Sequence, residues 1–583
     1  MRRAFHFRWA FHLALFCTGA VFAQQRIAQT NPIEVRAITG RVVNEAGHPL
    51  PGVSVVARSV SGSTAQSTST DIEGHFKLQR LDAGLYRLSA NLPGYVSDDQ
   101  EIDRTDPGAF YRPGDSVTLR LIKGGVITGV VTDPSGEPVA AVTIRAFRIR
   151  DAEGRKLSAA GISQLRMTDD RGYYRIYGLP PGSYIVAAGG QGQYFGMVNP
   201  YANNAPTFAP ASTRDTAAEI IVNSDQEVEV NIRYRGERGR SISGKLTGAL
   251  TQLSDTTIRL RDPEARVTIA SVPPTDEGAF QFSGVPEGEY EIAAIGNTPN
   301  VNMLASLPRR VRVKGTDLTG LELFMAPMGS ISGHVIFEPH ATQNCGNRRA
   351  GVMRETMLVS RRDVSDKKAV VKSATDKQTD VFDSSLFPVS LEIVPDEKGE
   401  IIFRNLLPAT YRPEVHALAD GWYIKDLNLG SLDRASPKTS GANVAMNGIK
   451  VAAGAKITGL TVSIAEGGAS LRGRITRASE QQSLPPNLRL YLVPAERDNR
   501  DNVLWFFEEA VRSDGTFEIG NLAPGRYWVI SELSDATLGS IRTDSALRGR
   551  ISREAEALKK EIVLKPCERI VDYELALPSS TNH

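Results

Sequence analysis

Short runs of alternating apolar and polar residues, divided by Gly and Pro turn signals, repeat along most of the chain. Five times a turn glycine precedes such a run, and a tyrosine stands 12 residues after the glycine: Gly74 and Tyr86, Gly172 and Tyr184, Gly278 and Tyr290, Gly399 and Tyr411, Gly515 and Tyr527. The runs read Phe76-Lys77-Leu78, Tyr174-Arg175-Ile176, Phe280-Gln281-Phe282, Ile401-Ile402-Phe403 and Phe517-Glu518-Ile519. Four of the five alternate as half-buried strands do. Pro and Gly before most of the tyrosines predict tight turns. Each repeat opens on a strand with an internal glycine, Gly40, Gly129, Gly244, Gly333 or Gly473, where a backbone packs closely or bulges. Each ends on a further alternating run, such as Ser116–Leu121 or Val571–Leu575.

Units of roughly 90 to 140 residues are large enough to bury their own cores, so the pattern predicts an all-β tandem array of five antiparallel sandwiches and not a solenoid. The boundaries are 36–123, 124–238, 239–327, 328–467 and 468–577. The fourth unit is the longest, which predicts a charged surface insertion over Asn344–Phe382. Its Ala409 and Pro413, where the others have a turn glycine and an uninterrupted strand, predict an edge strand or a distorted register. Gly124-Gly125 and Gly467-Gly468 run almost directly into the next first strand, which predicts a semi-rigid rod. The exception to the β pattern is Asp544–Ile562, where Leu547, Ile551, Ala555 and Leu558 recur at helical spacing and predict a short C-terminal surface helix.

Residues 1–23 read differently. Arg2, Arg3 and Arg8 precede an apolar run, and Val21-Phe22-Ala23 offers a cleavage site, the order of a signal peptide. The expectation is a protein secreted or exported to the periplasm or outer envelope, with no membrane span in the mature chain. Lys and Arg number 68 against 66 Asp and Glu in the 583 residues. Such a balance supplies no basic field for nucleic acid. Three cysteines make no disulfide framework, and Cys17 falls inside the leader. Cys345 and Cys567 then either pair across two units in an oxidising compartment or stay independent thiols.

The strings Thr39-Gly40, Gly47 to Val53, Thr70-Asp71 to Gly74 and Gly84-Leu85-Tyr86 resemble the carboxypeptidase regulatory-like domain family. The second unit matches it as well, through Thr128-Gly129, Thr168-Asp169 to Gly172 and Pro181-Gly182-Ser183-Tyr184. The resemblance implies a prealbumin-like (transthyretin-like) seven-stranded sandwich, reused as a spacer, a sugar-binding module or an accessory domain.

The family name invites a search for zinc-peptidase chemistry, and no HxxE, HExxH or GxSxG pattern occurs. Gly239 to Lys245 imitates a P-loop, but Leu246 replaces the metal-binding hydroxyl and the segment opens a strand. No catalytic residue, metal ligand or cofactor site is therefore assigned. The binding candidates are aromatics in loops: Tyr194, Phe195, Tyr201 and Phe208 among amides and glycines, and Trp422 with Tyr423 after Asp420-Gly421. Aromatic faces beside amides suit sugar rings, although the same side chains could as well close a sandwich end. The expectation is a non-catalytic binding and spacer protein of the cell envelope, with carbohydrate or envelope glycan the favoured ligand. An envelope-protein scaffold and an atypical carboxypeptidase or glycosidase are the alternatives.

Overall fold

The computed structural model describes residues 37–576, apart from 63, 98–109, 153, 155–163, 191–199, 250–252, 264–266, 297–302, 340–344, 346–355, 363–391, 417–419, 431–441, 477–483, 485–487, 501, 513, 534–540 and 543. The expected signal segment, residues 1–23, and the candidates Tyr194 and Phe195 lie outside the described residues. Almost everything else is strand, and five similar units follow one another.

In every unit the first sheet is built on the opening strand: Ile38–Val43, Gly125–Thr132, Arg240–Gly248, Gly329–Glu338 or Ala469–Thr476. On one side it pairs antiparallel with the strand that follows the turn glycine. On the other it pairs parallel with the closing strand of the unit. That parallel pair departs from the purely antiparallel expectation, because alternation reports which face a residue takes and not the direction of its neighbour. The second sheet centres on the tyrosine strands Tyr86–Asn91, Gly182–Ala188, Gly288–Gly296, Ala409–His416 and Gly525–Leu533, each antiparallel to the second strand of its unit. Between the two sheets, which in unit three are continuous through Leu304–Ser306, each unit buries its own apolar core.

The internal glycine of the opening strand is a packing requirement. At Gly473 an added methyl would run into the carbonyl of Tyr573 on the closing strand and meet the Phe517 ring at 2.7 Å. Gly40, Gly129, Gly244 and Gly333 stand against closing-strand carbonyls in the same way. The ladder also shifts register beside this glycine in units three, four and five.

The tyrosine has an equally local purpose. Its hydroxyl donates to the carbonyl four residues earlier in all five units: Tyr86 to Asp82 at 3.0 Å, Tyr184 to Pro180 at 2.6 Å, Tyr290 to Pro286 at 2.9 Å, Tyr411 to Leu407 at 3.0 Å and Tyr527 to Ala523 at 2.7 Å. The ring fills the core while the hydroxyl ties the turn, so a buried polar atom is satisfied. Thr70 and Thr168 make a second tie. Each hydroxyl donates to a carbonyl of the loop after the opening strand, Leu50 or Val139, and accepts from Val53 or Val142.

The repeat also contains a bulge that the sequence reading missed. Six residues after each turn glycine the backbone takes a left-handed conformation, at Arg80, Gly178, Gly284, Asn405 and Asn521, with φ between 56° and 67°. Gly and Asn at four of the five positions were the available signal.

Several expectations change at unit four. Met357–Arg362, inside the stretch expected as a surface insertion, is the unit's second strand and pairs along Tyr411–His416. Residues 363–391 lie outside the description. In the strand Ala409–His416 only Tyr411 pairs on both sides; Ala409 and Thr410 pair with Ile449–Val451, and Pro413 stands opposite Ser360 in a stretch with one described neighbour, as an edge position would. The C-terminal helix forms over Ser545–Leu558. Asp544 caps it, accepting from Ala546 and Leu547 at 2.8 and 3.0 Å, and Leu547, Ile551 and Ala555 are its buried residues. Leu558 is exposed, and Glu561–Leu564 returns to strand.

Trp422, Trp505 and Trp528 are the tryptophans after residue 23, so in a chain lacking residues 1–23 tryptophan fluorescence reports on units four and five. Gly473→Ala is expected to destabilise unit five by about 3 kcal/mol, because backbone cannot yield as a side chain end can. Gly549→Ala, where an added methyl meets only the end of the Arg553 side chain at 3.7 Å, is expected to stabilise by about 0.5–1 kcal/mol. Urea unfolding followed by that fluorescence measures both. Burial holds Tyr184, Tyr290 and Tyr527 above the ordinary tyrosine value of 10.0. The folded state therefore keeps protons that the unfolded chain loses above pH 10, and stability falls as pH rises past that point. Tyr527→Phe is expected to cost about 1 kcal/mol at pH 7 and to flatten the alkaline decline in the urea midpoint.

Candidate functional site

The connection after each tyrosine strand is where the units differ. In units one, three and four it sends a strand back to the first sheet, next to the closing strand: Tyr95–Ser97, Leu304–Ser306 and Trp422–Leu429. In unit two it forms Thr207–Phe208, which stays on the tyrosine strand. In unit five it holds the helix. All six candidate aromatics fall in two of these connections.

Their surroundings differ from the expectation of exposed platforms. Trp422 does not stand at a loop tip. It begins a strand, is 8% exposed, and packs edge-on against Phe337 with ring centres 5.2 Å apart in the core of unit four. Phe208 is buried with Phe147, Ile185 and Ala187 on the outer side of the second sheet. Tyr201 is half-buried, donating to the carbonyl of Ala140 at 2.8 Å with its ring edge-on to Tyr234. Tyr423 is half-buried, and burial raises its hydroxyl above the usual range.

The joints between units are tightly built. Gly124 lies against Gly178, with room for no side chain, and Gly239 lies against Gly284, so two linkers dock on left-handed bulges. At the third joint Met328 is buried with Ala293, Ile295, Ala305 and Leu407, and the bulge residue Asn405 accepts from Met303 N at 3.1 Å. At the fourth, Cys345 and Cys567 form a disulfide, with Cα atoms 5.0 Å apart. Gly467 and Gly468 donate to the carbonyl of Gly421, and Cys567 donates to that of Gly467. Val503 and Leu504 of unit five enter the core of unit four.

A fifth contact closes the arrangement. Leu85 and Phe110 of unit one are buried against Met357 of unit four, and Arg87, 4.8 Å above the Phe110 ring, donates to both carboxylate oxygens of Glu392 at 2.5 Å. The array folds back on itself and is not the rod that short linkers predicted. Linker length limits the freedom of a joint, but the angle is set by the surfaces that meet there.

A cleft of about 790 Å³ opens between units two and three. Its lining includes Arg145, Arg214, Arg235, Arg312 and Lys314, together with Asp215, Glu237, Asp262, Glu287 and Glu289. Arg214 pairs with Asp262, and Arg235 with Glu237. Arg145 is buried, donates to the carbonyls of Ile269 at 3.0 Å and Gly189 at 2.8 Å, and burial pushes its guanidinium down to about 10. Phe208 lines the same cleft. Sequence reasoning passed over Arg145 because nothing in Thr143–Arg150 separates a strand arginine that faces a cleft from one that faces water.

Among the described residues the single cluster with metal-ligand chemistry is Asp71, Glu73 and His75, all exposed. The Asp71 carboxylate already accepts from the backbone of Glu73 and His75 at 3.0 and 2.8 Å. Asp169 and Asp396 do the same at their turns with no histidine nearby in sequence, so the cluster belongs to the turn. No helix among the described residues is long and apolar enough to cross a membrane.

The geometry defines a class first: a set of sandwiches of seven to nine described strands, each with a parallel opening and closing pair. The family model for the carboxypeptidase regulatory-like domain matches residues 37–113 and 126–234, so the first two units are domains of that family. No curated protein matches the chain in sequence. Among solved structures the chain is similar to the Bacillus anthracis TIE protein, at 13% identity over 50% of this chain and 50% of that one, with a TM-score of 0.14. It is also similar to a streptococcal ancillary pilin, at 12% identity over 50% and 99% with a TM-score of 0.17. A third is GBS52, the minor pilin of Streptococcus agalactiae, at 14% identity over 34% and 96% with a TM-score of 0.19.

Cys345→Ser is expected to lower the stability of the pair of units four and five by about 2–5 kcal/mol, the range for removing a long-loop disulfide. Guanidinium unfolding followed by tryptophan fluorescence, with the untreated and reduced parent as references, measures it.

Proposed function

We propose that the chain is an exported, non-catalytic binding and spacer protein of the cell envelope, whose sandwiches are held in one fixed arrangement. The observation that carries this reading is the construction of the joints: each linker is closed by backbone contacts, a shared apolar cluster or a disulfide. A protein built to flex between domains would separate them with solvated linkers. Export rests on the basic, apolar and small-residue order of residues 1–23.

Carbohydrate is the ligand class of this reading, with envelope glycan its natural source. Of the described candidates Tyr201 and Tyr423 keep partly open rings, whereas Trp422 supports the fold. Association with envelope proteins through the sheet edges is the second reading, favoured by the burial of Trp422 and Phe208.

Small-angle scattering from the exported chain is expected to give a folded-back particle, and Arg87→Glu, which sets an acid against Glu392, is expected to raise the radius of gyration. An unchanged, rod-like profile for parent and variant would overturn the fixed arrangement. On a glycan array, Tyr201→Ala and Tyr423→Ala are expected to weaken binding with the fold intact; undiminished binding would favour the protein-association reading. Turnover of peptidoglycan or peptide libraries by the exported chain would overturn the non-catalytic one.

A further inference from the structure

The cleft between units two and three holds a buried charge with no ion-pair partner among the described residues. Arg145 sits on the strand Thr143–Arg150 and is 8% exposed. Its two Nη atoms donate only to main-chain carbonyls, and its Nε has no hydrogen-bond partner among the described residues. The neighbouring unit solves the same problem differently: buried Arg261 has the buried carboxylate of Glu291 at 3.2 Å. A buried cation is stable when an anion and a full set of acceptors surround it, and costs several kcal/mol otherwise. At the cleft rim Arg312 and Lys314 are exposed and make no ion pair among the described residues. Arg214 and Arg235, by contrast, are matched by Asp262 and Glu237.

We propose that this cleft binds a short acidic oligosaccharide, a polyhydroxylated ligand whose carboxylate is received by Arg145, Arg312 and Lys314. The volume of about 790 Å³ is that of a small-molecule site. The carboxylates choose between anions. Five acidic side chains line the cleft among seven basic ones, Arg238 and Arg240 included, and so small an excess of positive charge matches a sparsely charged ligand better than a densely charged peptide. The same oxygens accept from sugar hydroxyls, which an acidic sugar presents around its single carboxylate. Arginine suits the carboxylate because its fork of donors matches two oxygens at once. This inference deepens the carbohydrate reading at a site other than Tyr201 and Tyr423, and it stands or falls apart from the spacer reading.

Titration calorimetry on the exported chain, with digalacturonate, neutral galactobiose and triglutamate as probes, tests it. Digalacturonate is expected to bind, and galactobiose to bind about tenfold more weakly, the worth of charge-assisted hydrogen bonds. Triglutamate is expected to bind more weakly than digalacturonate. Arg145→Gln is expected to lower digalacturonate affinity about tenfold. The paired rim change Arg312→Gln with Lys314→Gln, which disturbs no buried side chain, is expected to lower it about threefold, and this carries the test if circular dichroism shows that Arg145→Gln does not fold. Equal binding of galactobiose and digalacturonate, tighter binding of triglutamate, no binding of digalacturonate, or an unchanged rim variant would each overturn the proposal. Failure here with glycan-array binding lost in Tyr201→Ala and Tyr423→Ala would leave the aromatic reading standing.

Discussion

The close approach of the closing strand to the glycine of the opening strand is the constraint on which each unit depends. A carbonyl sits where a side chain would begin, and in four units an aromatic ring from the strand after the turn glycine lies opposite in the ladder. Parallel pairing at this spot requires a long crossover, and the whole unit is that crossover. The first and last strands of a unit are thus locked side by side. That places the end of one unit near the start of the next and allows linkers of one or two residues at three of the four joints. The same constraint that closes the sandwich produces the array.

Given that frame, the tyrosine ties one end of the unit, the left-handed bulge offers a docking surface for the preceding linker, and the connection after the tyrosine strand is left free to vary. Variation is visible in the five outcomes: a strand added to the first sheet, a strand kept on the second, or a helix laid over Tyr491, Ile530 and Ile541. Surface that varies from unit to unit lies either in this connection or in the clefts that the joints create. The Arg145 cleft is of the second kind. Its walls come from two units, and Arg145 of unit two is buried there with a carbonyl of unit three as one of its acceptors.

The repeat, the strands, the turn glycines and the terminal helix were legible because they are local. Period-two alternation, a positive-φ glycine and helical spacing at Leu547, Ile551 and Ala555 are each fixed by neighbours within a few residues. The resemblance to the carboxypeptidase regulatory-like family rested on the same local strings, and the matched segments fall on the two units where those strings are most complete. Trp422 was misread for the opposite reason. Asp420-Gly421 does mark a turn, but the strand that follows is drawn into the core by pairing with Lys456–Glu466, more than thirty residues away in sequence.

By itself the sequence determined that the chain is a series of β-sandwiches, and it carries no zinc-peptidase or nucleophile-elbow motif. Tertiary structure decided the direction of the closing strand, the fold-back of unit one onto unit four, the joining of Cys345 to Cys567, and the meeting of Arg145 with the walls of unit three. The physical reason is range. Alternation and turn residues encode the state of one segment, whereas strand direction, joint angle and the surroundings of a buried charge depend on surfaces brought together from residues tens to hundreds apart in the chain.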